Sequence, residues 1–141
     1  MTIPIKKLSA SAKLPSYSHP DDAGLDLYSA ETTTILPQER KLISTGIAMA
    51  IPAGYVGLVW DKSGIAAKHG LKTMAGVIDA GYRGEVKILV HNLSTKPYTV
   101  EAGSKFAQLL IQPVEQRQIV EVEELDDTTR GEKGFGSSGV K

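Results

Sequence analysis

EVKILVHN, residues 85 to 92, decides how this chain folds. Its apolar residues recur with a period nearer two than 3.6, and an asparagine closes the run, which is the pattern of a strand and not of a helix. The same period appears outward in both directions. LISTGIAMAI (42–51) and GYVGLVW (54–60) precede it, FAQLLIQ (106–112) and QIVEVEE (118–124) follow it, and Pro, Gly or Asn breaks the chain between them. No window holds three turns of amphipathic helix. The best helical stretch is SGIAAKHG (63–70), whose last glycine is placed to serve as a C-cap. The pattern predicts an all-β sandwich or jelly roll with one short helix. From about residue 125 the composition turns polar and glycine-rich, so a body of residues 1–124 is expected to carry a flexible arm of residues 125–141.

A chain of 141 residues fits a single domain with a core of its own. Sixteen basic and sixteen acidic side chains cancel, so no whole-molecule field exists to gather nucleic acid or an anionic membrane, and neither is expected as a partner. A phosphate site must then be local. With no cysteine there is no disulfide framework, thiolate nucleophile or zinc ribbon. MTIPIKKLSA holds no apolar run long enough for a signal peptide or a membrane span, and the expected setting is soluble, intracellular and cytoplasmic.

Three stretches of the body carry candidate chemistry, each beside a plainer reading. In AGLDLYSA (23–30), Asp26 stands between Leu25 and Leu27, so on a strand the leucines face one way and the carboxylate the other; the plain reading is an outward, solvated aspartate. In WDKSGIAAKHG (60–70), Ser63 and Gly64 open the short helix, where free N–H groups and a hydroxyl suit an anion, and where Ser63 equally reads as a helix cap. His69, at the other end of the helix, is favourable as a cation and has no catalytic reading. In GVIDAGYRGEV (76–86), Val77 and Ile78 run into Asp79 and then into a glycine-bracketed turn, which places the carboxylate at the mouth of a hairpin, as a base or as a turn-stabilising residue. Tyr82 reads as a rim aromatic or as a pocket wall. The three histidines lack metal-ligand spacing and no serine elbow is present.

RGEKGFGSSGVK (130–141) ends the chain with four glycines, yet it carries Arg130 and one of only two phenylalanines, Phe135. Two residues follow Gly139, too few to begin a helix, so this is not a Walker loop. It is an arm that offers a guanidinium, hydroxyls and glycine N–H groups to phosphate, and an aromatic ring to a base. Phosphate and base together mean a nucleotide.

Taken in order, AGLDLYSA, DKSGIAAKHG, GVIDAGYRGEV, GSKFAQLLI and RGEKGFGSSG span nearly the whole chain, and together they resemble the homotrimeric deoxyuridine triphosphatases. The resemblance implies a β jelly roll and hydrolysis of dUTP to dUMP and diphosphate by Mg²⁺-assisted water attack on the α-phosphorus. It also implies a metabolic role in limiting uracil in DNA and supplying dUMP for thymidylate. It implies a homotrimer whose active sites are shared, the arm of one chain closing over a neighbour's site. Residue by residue, it gives Asp79 the orientation and deprotonation of the attacking water, and puts Tyr82 under the sugar, where it excludes a 2′-hydroxyl. The hairpin backbone from Thr73 to Asp79, with Gly76, Val77 and Ile78, and Lys87 on the next strand, would read deoxyuridine. Lys62, Ser63, Gly64 and Gln108 would hold phosphates, and Asp26 would reach Mg²⁺ through a water. In the arm, Arg130 and the hydroxyls of Ser137 and Ser138 would grip the γ-phosphate, Phe135 would cover the uracil, and Gly136 would also contact substrate.

Two departures accompany the likeness. The family often has proline and arginine where this chain has Asp61 and Lys62, so a point charge replaces a guanidinium fork. It also often has an acidic residue two places after the catalytic aspartate, where Gly81 stands here. Two other readings share the fold. A dCTP deaminase needs a glutamate on the strand after the turn, where aligning GYRGEVKILVHN puts Leu89. A non-enzymatic trimer of the same shape would have no need of Asp79 as a water-activating base or of an intact arm.

Overall fold

Alternating apolar side chains become strands here because β-branched residues, stiff at χ1, pack well on a pleated surface with one face buried. The computed structural model describes residues 1–141. In chain order the elements are β1 (Ile5–Lys7), β2 (Leu25–Tyr28), β3 (Thr33–Ile35), β4 (Arg40–Met49), β5 (Tyr55–Asp61), α1 (Ser63–His69), β6 (Leu71–Met74), β7 (Val77–Ile78), β8 (Glu85–Asn92), β9 (Tyr98–Val100) and β10 (Lys105–Pro113). All pairings are antiparallel. One sheet runs β1-β4-β8-β6, a second runs β2-β10-β5-β7, and β3 pairs with β9 alone. In both larger sheets the long strands are central. The edge strands are short, three and four residues in the first sheet and four and two in the second.

Ile43, Ile47, Val86, Ile88 and Val90 from the first sheet meet Leu27, Val59, Ala107 and Leu109 from the second in one core cluster of 16 buried residues. Each large aliphatic buried there contributes about 2 kcal/mol relative to exposure. The expected all-β, jelly-roll-like sandwich with one short helix is the fold observed. The helix ends as its sequence predicts, with Gly70 at φ 67° and its N–H bonded to the Ala66 carbonyl. No helix is long and apolar enough to cross a membrane.

Two expectations need correction. Residues 118–124 form no strand: both sides of β10 are already taken by β2 and β5, so Ile119, Val120 and Val122 find no free edge there and stand exposed. Residues 76–86 are not a simple hairpin either. β7 pairs with β5 in the second sheet, whereas β8 pairs with β4 and β6 in the first, so the turn after Asp79 carries the chain from one sheet to the other.

Where β4 pairs with β8 the register shifts between Ser44 and Ala48, and Gly46 sits in the irregularity at φ 68°. A side chain at Gly46 would stand 2.9 Å from Ala12 Cβ, so space and φ both require glycine. Glu85 fastens this bulge: its carboxylate accepts the Ser44 hydroxyl and, at 3.0 Å, the Gly46 N–H. Burial alone would raise its pKa, but those two hydrogen bonds and Lys87 hold it below its ordinary 4.5. A depressed carboxylate stabilises the fold at pH above its ordinary pKa, and that share is lost as pH falls through the folded value. Glu85→Gln is therefore expected to lower stability at neutral pH by about 1–3 kcal/mol. Melting temperatures read at intervals from about pH 6 to pH 3 should also fall less steeply with acid than those of the parent chain.

Candidate active site

The bend that carries the chain between sheets also opens a cavity. It has a volume of about 600 Å³, and its lining includes Met74, Gly76, Val77, Asp79, Tyr82 and Lys87. Asp79 is exposed, and its turn is closed by its backbone carbonyl, which accepts the Tyr82 N–H at 3.1 Å. The turn thus does not rely on the carboxylate, which leaves it available for chemistry. Tyr82 folds back over the turn and donates its hydroxyl to the Glu85 carbonyl at 2.9 Å. Gly84 makes this fit, since a Cβ there would fall 2.6 Å from Tyr82 Cζ. Ile78 lines the same cavity, so the residues expected to read base and sugar are gathered at one place, Thr73 excepted. Thr73 is buried, and both its N–H and its hydroxyl are engaged by the Asp61 carboxylate, at 2.6 and 2.8 Å.

A second cluster forms where β2, β10 and β5 lie side by side. Register places Gln108 opposite Asp26 on one side and Trp60 on the other. Gln108 packs against Gly24 and donates to the Asp61 carbonyl at 2.8 Å. Lys62 is the N-cap residue of α1 and makes no side-chain cap bond, so the Ser63 hydroxyl does not cap the helix and stands exposed beside Gly64.

Asp26 is not the solvated aspartate that alternation suggests; it is 2% exposed. Its oxygens are held by Lys62 Nζ at 2.5 Å, Ser18 Oγ at 2.5 Å and Lys105 Nζ at 2.8 Å, and Lys105 also reaches Ser18 at 2.7 Å. Burial alone would raise the Asp26 pKa, but Lys105, Lys62 and Ser18 hold it down at about 2. Lys105 and Ser18 escaped the sequence reading because the β10–β2 register shifts between Lys105 and Ala107, and only the folded bridge of Ser16 to Asp26 brings Ser18 near. No three His, Asp or Glu side chains gather to hold a metal. The donors present make no cage for an ion such as Mg²⁺, and Asp26, the carboxylate expected to reach it, is buried with its oxygens held by Lys62, Ser18 and Lys105.

The two clusters are not one site within a single chain: Lys62, Ser63, Gly64 and Gln108 do not line the cavity of Asp79 and Tyr82. The C-terminal residues join neither. Beyond Val114, whose N–H reaches the Gly54 carbonyl, the hydrogen bonds of the tail are internal, such as Arg130 Nε to the Lys133 carbonyl at 2.8 Å. Arg130, Phe135, Gly136, Ser137 and Ser138 are all exposed.

Known proteins share both the fold and the sequence of this chain. The dUTPase family model matches residues 10–139. The deoxyuridine 5′-triphosphate nucleotidohydrolase of Clostridium kluyveri is 48% identical over 142 residues, covering 99% of both chains. That of Nocardia farcinica is 47% identical, over 97% of this chain and 85% of its own. Among solved structures, a mutant dUTPase of Staphylococcus bacteriophage 80alpha with dUpNHpp superposes with a TM-score of 0.94 at 37% identity, over 99% of both chains. A mutant dUTPase from phage phi11 of S. aureus, described with a structural Mg(II) ion, superposes with a TM-score of 0.85 at 33% identity, over 90% of this chain and all of that one.

The Asp26 cluster makes a measurable demand on stability. In Asp26→Ala the two lysines lose their shared partner, but both are partly exposed and can turn to water. The expected loss is about 2 kcal/mol in urea unfolding, below the roughly 3–5 kcal/mol of stranding a fully buried charge. Asp26→Asn, which keeps an acceptor for Ser18, should lose less.

Proposed function

The chain belongs to the dUTPase family and is a deoxyuridine 5′-triphosphate nucleotidohydrolase; on that footing we propose how its residues divide the reaction between them. The observation that carries the proposal is the cavity that holds Asp79, Tyr82 and Lys87 together, with the Asp79 carboxylate free of its own turn. Asp79 orients a water and takes its proton as it attacks the α-phosphorus, giving dUMP and diphosphate. The backbone of Gly76, Val77 and Ile78, with Lys87, reads deoxyuridine, and Tyr82 packs under the sugar and excludes a 2′-hydroxyl. Thr73 supports this wall from behind through Asp61. In the second cluster Lys62, Ser63, Gly64 and Gln108 hold the phosphates, with Lys62 a point charge where the family often has an arginine. A Mg²⁺ bound with the triphosphate would add charge neutralisation at the phosphates, and for Asp26 to meet it through a water one of its lysine partners must first give way. The setting is the cytoplasm, where the reaction limits uracil entering DNA and supplies dUMP for thymidylate.

We further propose that the enzyme is a homotrimer whose sites are shared. The base cavity and the phosphate cluster are separate within one chain, which supports a site completed by a neighbour. The outer side of the second sheet supports assembly too: Val56, Leu58 and Leu110 are only half buried, and Val77 beside them is 66% exposed. Residues 125–141 form the arm. Arg130, Gly136, Ser137 and Ser138 take the γ-phosphate and Phe135 covers the uracil of a neighbour's site, so the arm orders only over substrate.

Pyrophosphate release across a panel of deoxynucleoside triphosphates and UTP should show a strong preference for dUTP. In that assay Asp79→Asn should turn over about a hundredfold or more slowly while still binding dUTP, and near-normal turnover would refute the base assignment.

The arm has a sharper test. A chain cut after Thr129 should stay folded and trimeric yet lose most activity. Co-refolding equal amounts of that chain and an Asp79→Asn chain should restore both intact parts at about a quarter of sites if base and arm come from different chains. A mixture as inactive as its parents, with mixed trimers confirmed by mass, would rule out the crossing arm.

A further inference from the structure

The wall of the base cavity runs through a strained bend. β5 pairs with β7 at Gly57↔Ile78 and Leu58↔Val77, and the Val59 N–H continues to the Gly76 carbonyl at 2.8 Å. There the β5–β7 ladder stops, because the chain on the N-terminal side of Gly76 belongs to β6 in the other sheet. The turn is made by Ala75 at φ 57° and Gly76 at φ 96°. Gly76 has no alternative, since a Cβ there would lie 3.0 Å from the Val59 carbonyl oxygen. Ala75 does carry a Cβ, and the left-handed region is disfavoured for it. Something must hold the chain in this shape.

Asp61, the last residue of β5, supplies the next hold where the backbone cannot. One carboxylate oxygen accepts both the N–H and the hydroxyl of Thr73, at 2.6 and 2.8 Å, and the other pairs with Lys72 Nζ at 2.8 Å. Thr73 is buried, so its N–H would find no ready replacement in water. The bend is therefore clamped on both sides by β5: at Gly76 through Val59, and three residues earlier at Thr73 through Asp61. Asp61 is also one of the positions at which this chain departs from the family's common proline, a residue with no side-chain acceptor for that task. Its own carbonyl accepts Gln108, which ties the clamp to the phosphate cluster.

We propose that Asp61 is a positioning residue for base recognition: it holds the Ala75–Gly76 bend in the shape that lets the wall from Met74 to Ile78 receive the base. The proposal rests on the reading of that wall as the deoxyuridine site. Asp61 touches no substrate; it acts through Thr73 and the bend, so its loss should weaken binding of the nucleoside end more than binding of phosphate or the chemical step.

The test uses the full chain and four variants, with kcat and KM measured for dUTP and affinities for dUMP and for pyrophosphate measured by calorimetry. Asp61→Ala should raise KM and weaken dUMP by about tenfold each, with kcat and pyrophosphate affinity changed by no more than about threefold. Asp61→Asn keeps an oxygen for Thr73 and should stay within about threefold of the parent in all four quantities, and Lys72→Ala likewise. Ala75→Gly added to Asp61→Ala should recover about threefold or more in dUMP affinity, because glycine takes the bend without strain. Should Asp61→Ala fail to fold, Asp61→Ser, too short to reach Thr73, serves in its place. Unchanged dUMP affinity, equal losses of dUMP and pyrophosphate, losses as large in Lys72→Ala, or no recovery with Ala75→Gly would each overturn the proposal. Failure of the parent chain to hydrolyse dUTP would instead remove the reading on which it rests.

Discussion

The arrangement of this protein hangs on the place of β10 between β2 and β5. Backbone N–H and C=O groups in a core must be paired, and a central strand meets that demand on both sides at once. Because the register is fixed, Gln108 is set beside Asp26 and beside the end of β5 with no freedom to drift. From that one line follow the buried carboxylate with its two lysines, the opening of α1 at Ser63, and Asp61 facing Thr73. A slip of one residue would turn Gln108 inward and put an apolar neighbour in its place.

Two different physical problems are solved on the two sides of β5. On the β10 side, which the proposed function gives to phosphate, the task is to keep positive charge in place for an anion. A carboxylate with a depressed pKa does this by pinning two lysine ammoniums that would otherwise wander in water. On the β7 side, which the proposed function gives to the base, the task is shape, and the device is a backbone bend that alanine and glycine hold at positive φ. Charge tolerates small displacement, whereas a wall of backbone does not.

Much of the strand content was legible because alternation reports burial on one face, and β4, β5, β8 and β10 all follow from it. The same rule misled at Asp26, since alternation says that a side chain leaves the core but not whether something else covers it. Ser18, Lys62 and Lys105 do cover it, and they lie 8, 36 and 79 residues away in sequence. QIVEVEE alternates as well as any strand, but a strand also needs a free edge, and no local pattern records which edges remain. Nor does a turn signal say which sheet receives the chain afterwards: the glycines around Tyr82 mark the turn, while the passage from one sheet to the other comes from pairings fixed elsewhere. Asp79, Tyr82, Lys87 and Gln108 were legible as a motif, but the separation of the Asp79 cavity from the cluster around Gln108 within one chain was visible only in the fold.

The short outer strands bear on how such a chain behaves at high concentration. An open sheet edge is a row of unpaired donors and acceptors, and a long flat one recruits strands from other molecules into fibres. Here the ten-, nine-, eight- and seven-residue strands lie inside their sheets, and the rims are left to segments of two to four residues. An incoming strand could form only a few hydrogen bonds before the template ran out. The taper of each sheet thus leaves little open template at its rims for a strand of another molecule to extend.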